Sequence, residues 1–199
     1  MTTPTIRIAD GDDVPAIGAL IAHSFDDLGP NHFLVPDAVN REAIMASYFA
    51  ILAGQAVDGG GEVLMLEDAG APRAVAVWFD RSGEPAPFDD YDRLLEKAVG
   101  PYLPRFRELD GLLDKHHPAE PHAHLAFLAV QPGYQGRGFG GRLLAHAHSR
   151  FQGSPWFLEA TNPRNRALYL RHGYVDMEPA TILLSDGTPF YLMWRSADS

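Results

Sequence analysis

Gln135-Gly136-Arg137-Gly138-Phe139-Gly140-Gly141 is the stretch that decides how this chain folds. An apolar run, His124 to Val130, precedes it and reads as a strand; Arg142, Leu143, Leu144, Ala145, His146 and Ala147 follow it with a helical pattern. The glycines therefore occupy a strand-to-helix junction. The first turn of a helix carries N–H groups without intrahelical partners and a partial positive charge, and glycines let an anion reach that backbone with no Cβ in the way. A phosphate cradle is the expectation.

The charge around this stretch points the same way. From Gln131 to Val175 the basic residues are Arg137, Arg142, Arg150, Arg164, Arg166 and Arg171, and the only acid is Glu159, in a chain whose formal net charge is -10. An acidic total argues against a general nucleic-acid binder, whose footprint should be basic. A positive segment centred on a glycine turn fits a highly anionic ligand, with chance clustering of solvated arginines as the alternative.

With 199 residues, 46% hydrophobic and 21% charged, the chain is expected to be one soluble domain spanning residues 1–199. The start, Met-Thr-Thr-Pro-Thr-Ile-Arg-Ile, has no basic region followed by an apolar run, and no segment approaches the roughly 18 uncharged apolar residues of a membrane span. A cytoplasmic monomer or homodimer without membrane or nucleic-acid partners is expected. There is no cysteine, so disulfides, thiolate catalysis and zinc-thiolate sites are excluded, and no metal is expected.

Upstream of the glycines, Thr5 to Ile8 alternate like a strand, and Asp10 to Asp13 can cap a helix with Val14, Ile17, Leu20, Ile21 and Phe25 at helical spacing. Asp26 to Pro36, broken by Gly29, Pro30 and Pro36, reads as a loop carrying Asn31, His32 and Phe33. Asp37 can cap a second helix bearing Ile44, Met45, Tyr48, Phe49, Ile51 and Leu52. Glu62 to Leu66 and Arg73 to Phe79 flank a turn and read as a hairpin. The segment from about 80 to 121, punctuated by prolines from Pro85 to Pro121, carries helical patterns at Tyr91 to Val99 and Leu103 to Leu113 and reads as a helical insert. Downstream come a helix to about Phe151, a strand Trp156 to Glu159, a helix from Asn165 to about His172, and three extended runs, Tyr174 to Met177, Ala180 to Leu184 and Phe190 to Trp194.

Two readings compete for the glycine turn. Gly136, Gly138 and Gly141 satisfy the G-x-G-x-x-G pattern of dinucleotide folds, with Glu159 near where such folds keep a ribose-binding acid. Against it, Pro132 to Gln135 separate the strand from the first glycine, only 40 residues follow Glu159, and no alternating βαβ pattern lies upstream. The other reading takes Gln135, Gly138 and Gly140 as Gln-x-x-Gly-x-Gly. Leu128 to Leu144 then resembles the acetyl-coenzyme A motif of the GNAT superfamily of N-acetyltransferases, and Leu158 to Tyr174 is similar to that family's second motif, an Asn, then a helix with Tyr, then Gly and an aromatic.

The resemblance implies an α/β (α+β) GNAT-like fold: a mixed, mostly antiparallel central sheet of about seven strands with flanking helices and a splayed central strand pair. It implies an acyltransferase that moves an acetyl group from acetyl-CoA to an amine of a small molecule or peptide, by direct attack in a ternary complex. A CoA-binding sensor or interaction module without transfer is the alternative. Leu128, Ala129 and Val130 would face the pantetheine arm. Gln135, Gly136, Arg137, Gly138, Phe139, Gly140 and Gly141 would hold the pyrophosphate, with Asn162, Asn165 and Tyr169 as further cofactor contacts. Asn162 could equally be a helix cap before Pro163.

Amine acetylation needs a base and a general acid. Tyr169, four residues before Gly173, matches the family tyrosine that protonates the departing thiolate; a core aromatic is its bland reading. His124 is the first candidate base, six residues before Val130, since an imidazole titrates near neutral pH, with His122 on the same face by the period-two rule. Glu159 is the second, with a structural pairing to Arg164 or Arg166 as its alternative. The acceptor pocket is expected from Asp26 to Asp37 and the insert. Its amine is not identified by the sequence.

Overall fold

Strand β1 (Thr5–Ile8) opens the sheet at one edge and pairs antiparallel with β2 (Gly61–Asp68), which pairs with β3 (Ala71–Arg81) in a hairpin. The structure, a computed structural model, describes residues 3–83, 87–151 and 153–197; residues 84–86, inside the predicted insert and including Pro85, lie outside them. The hairpin turn is Ala69-Gly70, both with positive φ, the backbone that matches strand twist in a two-residue loop. The centres of β2 and β3, residues 63–66 and 74–79, are continuously apolar because both faces are covered. Val63, Met65, Val75, Val77 and Phe79 enter one core, while Leu64, Leu66, Ala74, Ala76 and Trp78 enter the other. At the start of β2 the backbones approach so closely that a Cβ on Gly61 would lie 1.8 Å from the Trp78 carbonyl oxygen.

The first core is closed by α1 (Val14–Phe25), α2 (Gly29–Leu34), α3 (Arg41–Gln55), α4 (Tyr91–Val99) and α5 (Leu103–His116). Asp10 caps a short turn of helix ahead of α1 through a capping box with Asp13. The expected loop after α1 contains a helix instead. Pro30 sits in the first turn of α2, where its missing N–H costs nothing, and Asn31, Phe33 and Leu34 are buried. Asp37 does not cap α3; its side chain binds Val39 and Asn40, and Asn40 is the capping position without a side-chain bond. The two helical patterns of the 80–121 segment are α4 and α5, which bury Leu95, Val99, Phe106 and Leu109.

β4 (His122–Val130) pairs along its length with β3, with a bulge between the Val77–Phe127 and Trp78–Leu125 pairs that leaves Ala126 unmatched. The extra residue flips the strand: Leu125 enters the second core and Ala129 the first. Helix α6 (Phe139–Arg150) covers the second core through Leu143, Leu144 and Ala147. β5 (Trp156–Ala160) is parallel to β4 for only two residue pairs, Ala123–Trp156 and His124–Phe157, before the strands part. Helix α7 (Pro163–Leu170) follows. The three expected closing runs are two strands, β6 (Val175–Leu183) and β7 (Pro189–Arg195). β6 is an edge strand, so Pro179 interrupts its ladder without ending it. The order is β1-β2-β3-β4-β5-β7-β6, a seven-stranded mixed sheet with one parallel pair.

Candidate active site

The parting of β4 from β5 leaves the far half of β4 with one free edge, and two cavities lie along it. The first, of about 410 Å³, is lined by Leu128 and Val130 of β4, the glycine turn, the start of α7 with Tyr169, and Ser24, Phe25 and Leu28 of the first helical hairpin. Gly138, at φ 80°, is the residue before α6, and no side chain caps that helix. Its first-turn N–H groups are therefore free of both intrahelical and side-chain acceptors at the cavity wall. Gly136 also has positive φ, 77°, a conformation that side chains with a Cβ rarely adopt. Gln135 donates Nε2–H to the Val130 carbonyl at 3.3 Å, occupying an acceptor on the open edge.

The predicted cofactor residues divide. Leu128, Val130, Gln135, Gly136, Gly138, Phe139, Gly140, Gly141, Asn162, Asn165 and Tyr169 all line this cavity. Ala129 does not: it is 1% exposed and points into the core. The Arg137 side chain lies over the Tyr134 ring at 4.6 Å, which Arg73 also approaches. The charge at the cavity comes instead from Arg164 and Arg171, visible in the sequence only as members of its basic segment. Asn162 is the cap of α7, its Oδ1 accepting from the Asn165 N–H at 2.8 Å, and it faces the cavity as well. Both of its readings are thus realised by one position.

Tyr169 is 8% exposed and packs edge-on against Tyr174. Burial, and then the Glu159 charge, hold its phenol well above the ordinary tyrosine range, so it keeps its proton.

The second cavity, of about 660 Å³, lies under α4 and α5 and is lined by His124, Ala126 and Phe127 of β4, Glu159 of β5, His117, and the insert residues Tyr91, Asp92, Arg107, Asp110 and Asp114, with Arg81 and Phe88. His124 therefore does not share a cavity with Tyr169. Glu159 connects them: its Oε2 accepts from His124 Nε2 at 2.8 Å, and its charge acts on the Tyr169 phenol. The expected pairing of Glu159 with Arg164 or Arg166 is not formed; Arg166 pairs with Asp176. Since a carboxylate only accepts, Nε2 carries a proton in this contact. His124 Nδ1 and Glu159 Oε1 have no partner. His122 shares this face, as period two requires, but its Nδ1 is engaged by the Glu120 carbonyl. Burial lowers His117 to about 4, so it is neutral beside His124.

Among the described residues no group of acids and histidines is arranged to hold a metal ion, and no helix is long and apolar enough to cross a membrane.

A glycine-opened helix terminus beside a forked parallel pair in a mixed sheet forms a cleft whose free N–H groups and arginines suit an extended, anionic ligand. The family model described as "Acetyltransferase (GNAT) domain" matches residues 108–176, which run from α5 through the glycine turn to the start of β6. The solved structure of a histone acetyltransferase HPA2 and related acetyltransferase from Corynebacterium glutamicum is 26% identical, with a TM-score of 0.72 over 98% of this chain and 97% of that one. Two others share the fold at lower identity. An N-acetyltransferase from Staphylococcus aureus is 18% identical, with a TM-score of 0.62 over 96% and 99% of the two chains. The PaiA N-acetyltransferase from Thermoplasma acidophilum, in complex with coenzyme A, is 12% identical, with a TM-score of 0.60 over 98% and 99%. Residues 108–176 thus resemble a GNAT acetyltransferase domain, and the whole chain shares its fold with solved acetyltransferases.

Proposed function

We propose that this chain, acting as a single domain, transfers an acetyl group from acetyl-CoA to a primary amine seated in the second cavity, with donor and acceptor bound together. The observation that carries the reading is the placement of Tyr169 and the His124–Glu159 pair in separate, adjacent cavities along one open strand edge, coupled through Glu159.

Acetyl-CoA supplies the activated thioester. The free N–H groups at the start of α6 and the Arg164 and Arg171 side chains fit its phosphates by charge and donor geometry. The open edge of β4 at Leu128 and Val130 fits its amide-bearing arm, provided Gln135 releases the Val130 carbonyl. On the acceptor side, the amine must reach the thioester without its extra proton. The His124–Glu159 pair takes that proton, with Glu159 fixing the imidazole tautomer. The amine nitrogen forms the C–N bond, the C–S bond breaks, the Tyr169 phenol gives its proton to the departing sulfur, and the surplus proton on the new amide nitrogen leaves to restore the phenol.

Free thiol release, followed with acetyl-CoA across a panel of primary amines, tests the reading. Amine-dependent release is expected. Coenzyme A binding with no release from any amine overturns it.

A further inference from the structure

The acceptor cavity has an electrostatic feature that monoamine transfer does not use. Four carboxylates line it, Asp92, Asp110, Asp114 and Glu159, against two arginines, Arg81 and Arg107. Arg107 pairs with Asp92 at 3.7 Å, and Arg81 feels the charge of Asp114. The cavity thus has two more carboxylates than arginines, and Asp110 on α5, which feels Arg107 only through space, and Glu159 at the fork form no ion pair with an arginine among the described residues. Asp110 receives a hydrogen bond only from the Tyr91 phenol, at 2.9 Å, a neutral donor, and it takes part in no ion pair among the described residues. Glu159 is bonded to His124, its side chain is 7% exposed, and its Oε1 has no partner.

These two acids have opposite positions in the cavity's construction. Glu159 belongs to the sheet, beside the imidazole and within the field of Tyr169. Asp110 belongs to the helical cover. The Tyr48 phenol, buried beneath, feels both charges. Leu52, Leu113 and Phe127 complete the lining with apolar surface. A half-buried carboxylate without a cation costs stability, which a bound ammonium offsets.

Resting on the acetyl-transfer reading of this cavity, we propose that the acceptor is an aliphatic diamine: one amino group is acetylated at the His124–Glu159 end, and the second, as an ammonium, is held by Asp110 across a hydrocarbon spacer. A charge of two on the acceptor balances the two-carboxylate excess over arginine in the cavity, and the apolar lining matches the spacer.

The test compares putrescine with butylamine, which has the same spacer and one amino group. For the wild-type chain kcat/KM is expected to favour putrescine by about tenfold or more, the worth of one charge-assisted hydrogen bond in a partly buried site. In Asp110→Asn that ratio falls about tenfold, through KM for putrescine. Asp110→Glu keeps the charge and reaches further into the cavity, so it shifts preference towards the shorter diaminopropane, which covers the case in which the asparagine variant does not fold. Calorimetry of putrescine binding to the CoA-loaded protein reads the same contact without turnover. Equal use of the two amines, or a ratio unchanged in Asp110→Asn, overturns the inference and leaves the transferase reading standing. Putrescine binding that needs Asp110, with no thiol release from any amine, supports the diamine site at Asp110 and overturns the transferase reading, acetylation of the bound diamine included.

Discussion

His124 Nε2 and Glu159 Oε2 stand 2.8 Å apart across the point where β4 and β5 separate, the imidazole 13% and the carboxylate 7% exposed at their side chains. The two strands stay paired just far enough, through His124–Phe157, to set these residues side by side. Beyond them the ladder opens into the cavities. The same break in pairing thus fixes the candidate base and borders both cavities.

Glu159 should act by holding His124. In Glu159→Gln the side-chain amide can offer Nε2 a donor as readily as an acceptor, so the tautomer is no longer fixed, and kcat should fall by roughly 10²-fold with a smaller change in KM. Glu159→Asp, which keeps the carboxylate, should recover part of the loss, whereas a purely structural role would leave both variants with equal defects in melting temperature and rate. Wild-type kcat in the glutamine variant would remove the pair from the chemistry.

If Tyr169 is the proton donor proposed for the departing sulfur, Tyr169→Phe should lower kcat by roughly 10²-fold or more and leave KM for acetyl-CoA nearly unchanged. The phenol proton is held above the ordinary value of 10 by burial and by Glu159. The wild-type rate should therefore show no loss from phenol ionisation as the pH rises to 10. Steady-state kinetics of the variant decide the role.

Gly138→Ala places a Cβ at φ 80° immediately before the uncapped helix. Nothing lies within 4 Å of that Cβ, so the stability cost is backbone strain alone, about 1 kcal/mol. Coenzyme A affinity should fall more than stability, by roughly tenfold, since the strain is relieved by turning the first-turn N–H groups away from the phosphates. Calorimetry beside a urea melt separates the two effects. An affinity loss no larger than the stability loss would argue against a pyrophosphate at this turn.

The glycine turn, its strand and its helix were legible in the sequence because each is set locally, by periodicity and by residues that permit positive φ. The hairpin and the helices of the insert were legible for the same reason. The helix at Gly29–Leu34 was hidden by Gly29 and Pro30, which read as breakers although proline is well placed in a first turn. The His124–Glu159 pair joins residues 35 apart, and no local pattern distinguishes it from a pairing of Glu159 with Arg164 or Arg166. The bulge at Ala126 decides which of His124, Phe127 and Leu128 faces which cavity, and bulges leave no sure mark in an apolar run. Asp110 and Tyr91 were readable as helix residues, but the cavity they face exists only once the insert is folded over the sheet.

Acid should destabilise the fold through His148, which packs on the second core. His148 of α6 packs against Trp156 and accepts a hydrogen bond at Nε2 from the buried Tyr174 hydroxyl, 3.1 Å away. Burial, with help from the Arg195 and His172 charges, lowers its pKa from 6.5 to about 4. Between those values the unfolded chain binds a proton that the folded chain refuses, so stability falls as pH drops through 6.5 and levels off below about 4. Discounted for the solvent His148 retains, the loss should be about 1–2 kcal/mol. His117, lowered to about 4, adds in the same direction. Asp110, raised to about 6, works the other way, its stabilisation present below 3.8 and lost as pH rises through 6. His148→Gln isolates the first term, because the amide oxygen can still accept from Tyr174 and does not titrate. Urea unfolding at pH 7.5 and at pH 4.5 should show the wild type losing at least about 1 kcal/mol more than the variant. Equal losses would mean that His148 is protonated in the folded protein, with the Tyr174 hydroxyl turned to another acceptor.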